Sequence, residues 1–286
     1  ARPMLWRLKT VWIAMLQLQN DILEMIAKGE PLAATIDRLC RRIEAILPGV
    51  VCSVVEVGGD GCLHPLAAPS LPHAYSQMLD GLVPGPDVGS CGSAVHRRAP
   101  VEATDIATDP RWACCVETVL MLGLRACWST PILDRDGLPL GAFAFYFREA
   151  RGHAAHEEEI VETCAHLCAI AMERDRQIRS QHRLAYRDML TDLPNRAAFN
   201  AASERAASPP SALLIIDLDN LKTVNDTFGH HAGDYLLQAA ARRIQASAKP
   251  HRAYRLGGDE FAVLVEGETD NARLDALARS ILDDLA

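Results

Sequence analysis

The sequence predicts an α+β protein in two parts. An antiparallel sheet with flanking helices comes first, then a long connecting helix, then a second, α/β domain. Three observations carry this. The 286 residues are about the length of two domains. Two pairs of apolar runs, 125–133 with 138–147 and 251–256 with 261–265, are each joined by a glycine-containing turn, the pattern of a β-hairpin. Between the pairs, residues 156–187 read as one uninterrupted helix.

Composition narrows the function classes. Hydrophobic residues make up 49% and charged residues 23%, as in an ordinary globular protein. A net charge of −8 argues against a general nucleic-acid binder, which carries a basic patch. It leaves a nucleotide substrate open, because a bound metal supplies positive charge. No apolar run approaches the ~20 residues of a membrane span. Residues 4–18 contain Arg7 and Lys9 and lack the layout of a signal peptide. All nine cysteines lie at or before Cys168 and none forms a Cys-x-x-Cys pair, so zinc has no support. Their odd number suits reduced thiols in the cytoplasm.

Taken in order, residues 4–28 carry Leu5, Leu8, Trp12, Met15, Leu16, Leu23 and Ile26 at helical spacing. Gly29 and Pro31 end that helix, and a second amphipathic helix covers 32–47. Residues 50–57 are a Val-rich strand, Gly58-Gly59-Asp60-Gly61 a turn and 62–67 its partner strand. The loop-rich segment 68–90 holds one short helix near 74–79. A helix turn at 93–98, a short strand at 101–103 and a helix at 112–122 follow. The hairpin 125–133/138–147 turns at Asp136-Gly137. In the long helix, Ile160, Cys164, Leu167, Ala171 and Ile178 form a narrow apolar stripe. That suits a two-stranded coiled coil; a linker helix packed on the first domain is the other reading.

Further on, Leu193-Pro194-Asn195 forces a turn. A helix at 197–207 ends in Ser208-Pro209-Pro210. The apolar run 212–216 reads as a fully buried strand. Asp217 and Asp219 then sit at its carboxyl end, where α/β sheets bind ligands. Helices at 220–228 and 232–248 flank Gly229-His230-His231. In the last hairpin, Gly257-Gly258-Asp259-Glu260 interrupts an apolar run. Acids are poor strand residues unless solvated or bound to something, and glycines let a ligand approach the backbone. If these strands are neighbours, the two acid pairs converge into a hard-oxygen site suited to Mg²⁺ bound with substrate phosphates.

Two resemblances follow. Gly89-Ser90-Cys91-Gly92-Ser93-Ala94, Asp105-Ile106-Ala107-Thr108-Asp109-Pro110, the run from Gly123 to Ile132 and the strand 141–147 resemble the GAF family of small-molecule sensor domains. The resemblance implies a ligand pocket beside the sheet, walled by loops in 68–122, with Cys91 and Cys127 as pocket candidates or buried structural thiols. It does not name the ligand. From 188 onward, Asp188-x-Leu190-Thr191-x-Leu193-Pro194-Asn195-Arg196, then Asp217-x-Asp219-x-x-Lys222-x-x-Asn225-Asp226-x-x-Gly229-His230-x-x-Gly233-Asp234, then Arg255-x-Gly257-Gly258-Asp259-Glu260-Phe261 resemble the GGDEF domains, the diguanylate cyclases. That resemblance implies a palm-like, nucleotidyl-cyclase-like fold and the joining of two GTP into cyclic di-GMP with release of two pyrophosphates. Asp217, the carbonyl of Leu218 and Asp259 would hold Mg²⁺ or Mn²⁺. Asn225 and Asp234 would bond the guanine, and His230 would support the pocket. Lys222 would stabilise phosphate charge, Glu260 is the candidate base, and Gly257 and Gly258 would lie against the nucleotide. Each site would hold one GTP, so a homodimer is expected.

The expected organisation is an N-terminal helix (1–19), a GAF sensor (20–155), a signalling coiled-coil helix (156–187) and the N-terminal part of a GGDEF domain (188–286). Expected function is a cytoplasmic, signal-regulated diguanylate cyclase, with no nucleic-acid partner. The alternative is a GTP-binding regulatory module of a cyclic di-GMP phosphodiesterase or of a bifunctional protein. Two departures from the family pattern matter. The product-inhibition motif Arg-x-x-Asp is replaced by Ala248-Lys249-Pro250-His251, so feedback through it is not expected. The family also continues past the point reached by Ala286, so weak or no catalysis is expected of residues 1–286 alone.

Overall fold

The computed structural model describes residues 2–205, 211–268 and 270–285, and the chain divides into two compact units, 1–176 and 177–286. The expected Ser208-Pro209-Pro210 break lies outside the described residues.

The first unit opens with α1 (Arg2–Lys28) and α2 (Leu32–Ile46). Gly29, at φ 79°, ends α1 in a left-handed turn, and the N–H of Glu30 donates back to the carbonyl of Met25 at 3.1 Å. There follow β1 (Val50–Val57), β2 (Leu63–Ala67), α3 (His73–Leu79), α4 (Gly89–Arg97) and β3 (Val101–Ala103). A 3-10 turn (Pro110–Trp112), α5 (Val116–Met121), β4 (Ala126–Leu133), β5 (Pro139–Phe147) and α6 (Ala155–Tyr186) complete it, α6 running past the unit's boundary. The sheet order is β2-β1-β5-β4-β3, antiparallel throughout.

The central strand β5 is buried on both faces. Side chains alternate across a strand, so Phe143, Phe145 and Phe147 face a core shared with Leu18 and Ile22 of α1, Ile36 and Leu39 of α2, and Cys164 and Cys168 of α6. Each such phenylalanine contributes about 1.5–3 kcal/mol. Ala142, Ala144 and Tyr146 face a second core, with Tyr75, Cys91 and Trp112.

Three expectations for this unit change. The single helix at 112–122 is a 3-10 turn and a separate short helix, because Trp112 is turned into the core behind the Asp109 cap and residues 113–115 make turns. The helix turn at 93–98 begins earlier, at Gly89. In the stripe of α6, Ile160, Cys164, Leu167 and Ala171 are buried within this unit, so those four are core positions and not a seam for a second chain. Ile178 remains exposed. On α1, Met15, Leu18, Ile22 and Ile26 are inside, while Trp12, Leu16 and Leu23 are exposed.

The second unit contains α7 (Arg196–Arg205), β6 (Ser211–Asp217), α8 (Leu221–Phe228), α9 (His230–Ser247), β7 (Arg252–Gly257), β8 (Glu260–Glu266) and α10 (Asn271–Leu285). The sheet order is β6-β8-β7, again antiparallel. Phe261, Val263 and Val265 pack with Leu237 and Ile244 of α9 and Ile281 of α10. The other face, Tyr254, Ala262 and Leu264, packs against Phe199 of α7. β6 is not fully buried as expected: it lies at the sheet edge, and Leu213 and Ile215 are 44% and 65% exposed.

Gly141 pairs with Glu56 where β5 meets β1, and a Cβ there would lie 2.0 Å from the carbonyl oxygen of Val55. Gly141→Ala is therefore expected to push the two strands apart and cost about 1–3 kcal/mol. Calorimetry checks this; an unchanged Tm would contradict it.

Candidate functional site

The carboxylates meet because of strand register. β6 ends at Asp217, directly opposite Glu260, the first residue of β8. The next N–H, of Leu218, donates to the carbonyl of Asp259 at 3.2 Å. Repulsion from Asp259 foremost, then burial, then Glu260 and Asp219, raises the Asp217 carboxyl above its ordinary range. The two acid pairs thus converge. Gly257 and Gly258 form the turn at φ 147° and 55°. A side chain is strained at both angles, which explains glycine there.

The turn is braced by a segment far away in sequence. Arg255 donates through Nε (3.1 Å) and Nη2 (2.7 Å) to the carbonyl of Gly258. Its Nη1 donates to Asp188 at 2.8 Å. Thr191 donates to the same carboxylate oxygen from its N–H (2.9 Å) and hydroxyl (2.7 Å). Burial pushes the Asp188 carboxyl up, but these hydrogen bonds, from Thr191 and Arg255, hold it below the usual range. Arg196 donates from Nε to the carbonyl of Leu256 at 2.8 Å and from Nη2 to Glu260 at 3.2 Å. Sequence reasoning quoted Asp188, Arg196 and Arg255 only as motif letters. Their signal was co-occurrence: three separated motifs that the fold ties into one brace.

Lys222 and Asn225 lie on α8, three residues apart, and His230 and Asp234 lie on α9, four apart. Such spacings put each pair on one helix face. A Cβ on Gly233 would lie 2.0 Å from the Asn225 amide oxygen, so glycine lets the two helices approach there. Lys222 and His230 are exposed, and Asn225 and Asp234 half-buried. Among the described residues no ion pair joins these four to the carboxylates.

The donor set at the strand ends is hard oxygen. Among the described residues no three His, Cys, Asp or Glu side chains gather as a metal-holding group. Two carboxylates and a carbonyl fall short of a closed protein cage and fit Mg²⁺, which keeps open positions for phosphates.

In the first unit, a cavity of about 290 Å³ lies beside the sheet. Cys91 lines it and Cys127 does not. Cys127 sits behind the wall on β4, its Sγ 3.6 Å from the Ser129 hydroxyl, which is also 3.3 Å from the Cys91 Sγ. Burial pushes both thiols up, so neither is a ready nucleophile.

These contacts separate two kinds of residue. Arg255→Ala removes both hydrogen bonds to the Gly258 carbonyl and the ion pair with Asp188, which keeps Thr191, and is expected to cost about 1–3 kcal/mol. Asp217→Asn removes repulsion and is expected to leave Tm of the metal-free protein equal or higher. Thermal melts of both variants check this; a clear fall for Asp217→Asn would contradict it.

Comparison with known proteins gives the family. Residues 31–172 match the GAF domain, and residues 185–286 match the diguanylate cyclase, GGDEF domain. Diguanylate cyclase DgcP of Escherichia coli (strain K12) is 33% identical over 187 residues, 60% of this chain and 54% of that protein. Diguanylate cyclase DgcN of the same strain is 46% identical over 89 residues, 29% of this chain and 22% of that protein. The methyl sulfide methyltransferase-associated sensor of Methanosarcina acetivorans is 35% identical over 156 residues, 54% of this chain and 16% of that protein. The chain thus spans about half the length, or much less, of these curated relatives. It belongs to the proteins that carry a GAF domain followed by a GGDEF domain.

Proposed function

We propose that the protein is a diguanylate cyclase regulated by its GAF domain, condensing two GTP into cyclic di-GMP and two pyrophosphates. The single observation that carries this is the like-charged cluster at the end of β6, with Asp217 held against Asp259 and Glu260. A fold gains nothing in stability from such a cluster, and a cation with phosphates relieves it.

Diguanylate cyclases as a class use divalent metal ions. Asp217, Asp259 and the carbonyl of Leu218 would hold Mg²⁺ or Mn²⁺. When bound, the ion neutralises phosphate charge and lowers the pKa of the attacking 3′-hydroxyl. The chain's own residues do the rest. Gly257 and Gly258 offer unobstructed backbone for the nucleotide to lie against. Glu260, tethered by Arg196, takes the hydroxyl proton. Lys222 balances phosphate charge in the transition state. Asn225 and Asp234 bond the guanine edge, with His230 beside them. One domain presents one cluster, so turnover needs two domains facing each other in a homodimer. Residues 20–155 act as sensor, 156–187 as relay and 188–286 as output. Among the described residues no helix is long and apolar enough to cross a membrane, which accords with a cytoplasmic enzyme.

The test is incubation of the complete protein with GTP and Mg²⁺, with cyclic di-GMP measured by chromatography. Product is expected, falling by at least about 100-fold in Asp259→Asn. Asn225→Ala is expected to erode the preference for GTP over ATP. A dimer that binds GTP yet makes no cyclic di-GMP would overturn the reading.

A further inference from the structure

The cavity of the first unit has a definite chemistry. We propose that it takes a small uncharged ligand built on a flat ring, with one N–H or O–H donor, and that it excludes nucleotides. This rests on the sensor reading of the GAF domain and names the ligand class.

Size comes first. A volume of about 290 Å³ seats one ring or two fused rings, at the small end of ligand pockets. Charge comes second. No Lys, Arg, His, Asp or Glu lines the cavity. Arg111, next to Trp112 of the wall, is committed elsewhere: it ion-pairs with Asp109 and donates to the carbonyl of Glu102 at 2.7 Å. A phosphate or carboxylate placed there would lose its water and meet no charged side chain among the described residues, only the N–H groups that open α4.

Ring geometry comes third. Tyr75 and Tyr146 meet edge-to-face at 5.9 Å and 89°, and Trp112 meets Tyr146 at 6.5 Å and 78°. The wall therefore presents both edges and faces to an incoming ring. Its polar atoms are already paired in one sense. The Tyr75 hydroxyl donates to Tyr146 at 3.0 Å, and the Trp112 indole N–H donates to Ser90 at 3.2 Å. What Tyr75 has left is acceptor capacity, which a donor on the ligand would meet. Met78 and Cys114, both lining and both exposed, mark the mouth.

The position gives a route for regulation. Tyr146 is on β5, and the other face of that strand, Phe145 and Phe147, packs in the core that includes α6. A ring seated on Tyr146 bears on the strand that supports the connecting helix.

Four probes test the class on the complete protein by calorimetric titration and thermal melts: indole, 1-methylindole, indole-3-carboxylate and cyclic GMP. Indole is expected to bind saturably and raise Tm by about 2–4 °C near saturation. Blocking its donor in 1-methylindole is expected to weaken binding about fivefold. The two anions are expected to give no shift. Met78→Trp, which fills the mouth, is expected to abolish indole binding with circular dichroism and GTP binding unchanged; Cys115→Phe serves as a second block from the opposite wall. No saturable indole binding, preferential binding of either anion, or indole binding that survives both blocks would overturn the proposal. All readouts are of binding, so they stand apart from cyclase activity: a failed ligand class leaves cyclic di-GMP production intact, and a failed cyclase reading leaves indole binding intact.

Discussion

The register of β6 on β8 is the constraint on which the second unit turns. Antiparallel pairing of β6 with β8 sets Asp217 opposite Glu260 and brings Asp259 close enough to raise the Asp217 carboxyl. Nothing in the sheet requires acids there, since the core below is built by Phe261, Val263 and Val265. The brace around the turn supports this arrangement. Arg255 ties the Gly258 carbonyl to Asp188, and Arg196 holds Leu256 and Glu260. Rigid support beside like charge is the physical basis of the site proposal.

The first unit is organised around a different constraint, the two-sided burial of β5. One face, Phe143, Phe145 and Phe147, anchors the helices; the other, Ala142, Ala144 and Tyr146, backs the cavity. Of that second face, Tyr146 lines the cavity. The same strand therefore borders the cavity on one face and supports helices on the other.

Much of this was legible in the sequence because the signals were local. Glycine-containing turns at Asp136-Gly137 and Gly257-Gly258 placed the hairpins, and the convergence of Asp217 with Asp259 and Glu260 followed once the strands were taken as neighbours. The misses were of tertiary origin. The run 212–216 looks fully buried because all its side chains are apolar, yet edge position leaves Leu213 and Ile215 exposed. The stripe on α6 has coiled-coil spacing, but a core helix with one buried face has nearly the same spacing, and four of its five positions lie in the core of the first unit. The helix expected at 112–122 is broken where the Asp109-capped turn buries Trp112. The brace by Arg255, Arg196 and Asp188 joins residues up to 67 positions apart, a distance no local pattern encodes.

The most direct test of the active-site account is a crystal of the protein grown with a non-hydrolysable GTP analogue and Mn²⁺, read by anomalous scattering. A manganese peak about 2.2 Å from carboxylate oxygens of both Asp217 and Asp259, with the nucleotide against Gly257 and Gly258, is the expected result. Nucleotide bound with manganese touching neither carboxylate would contradict it.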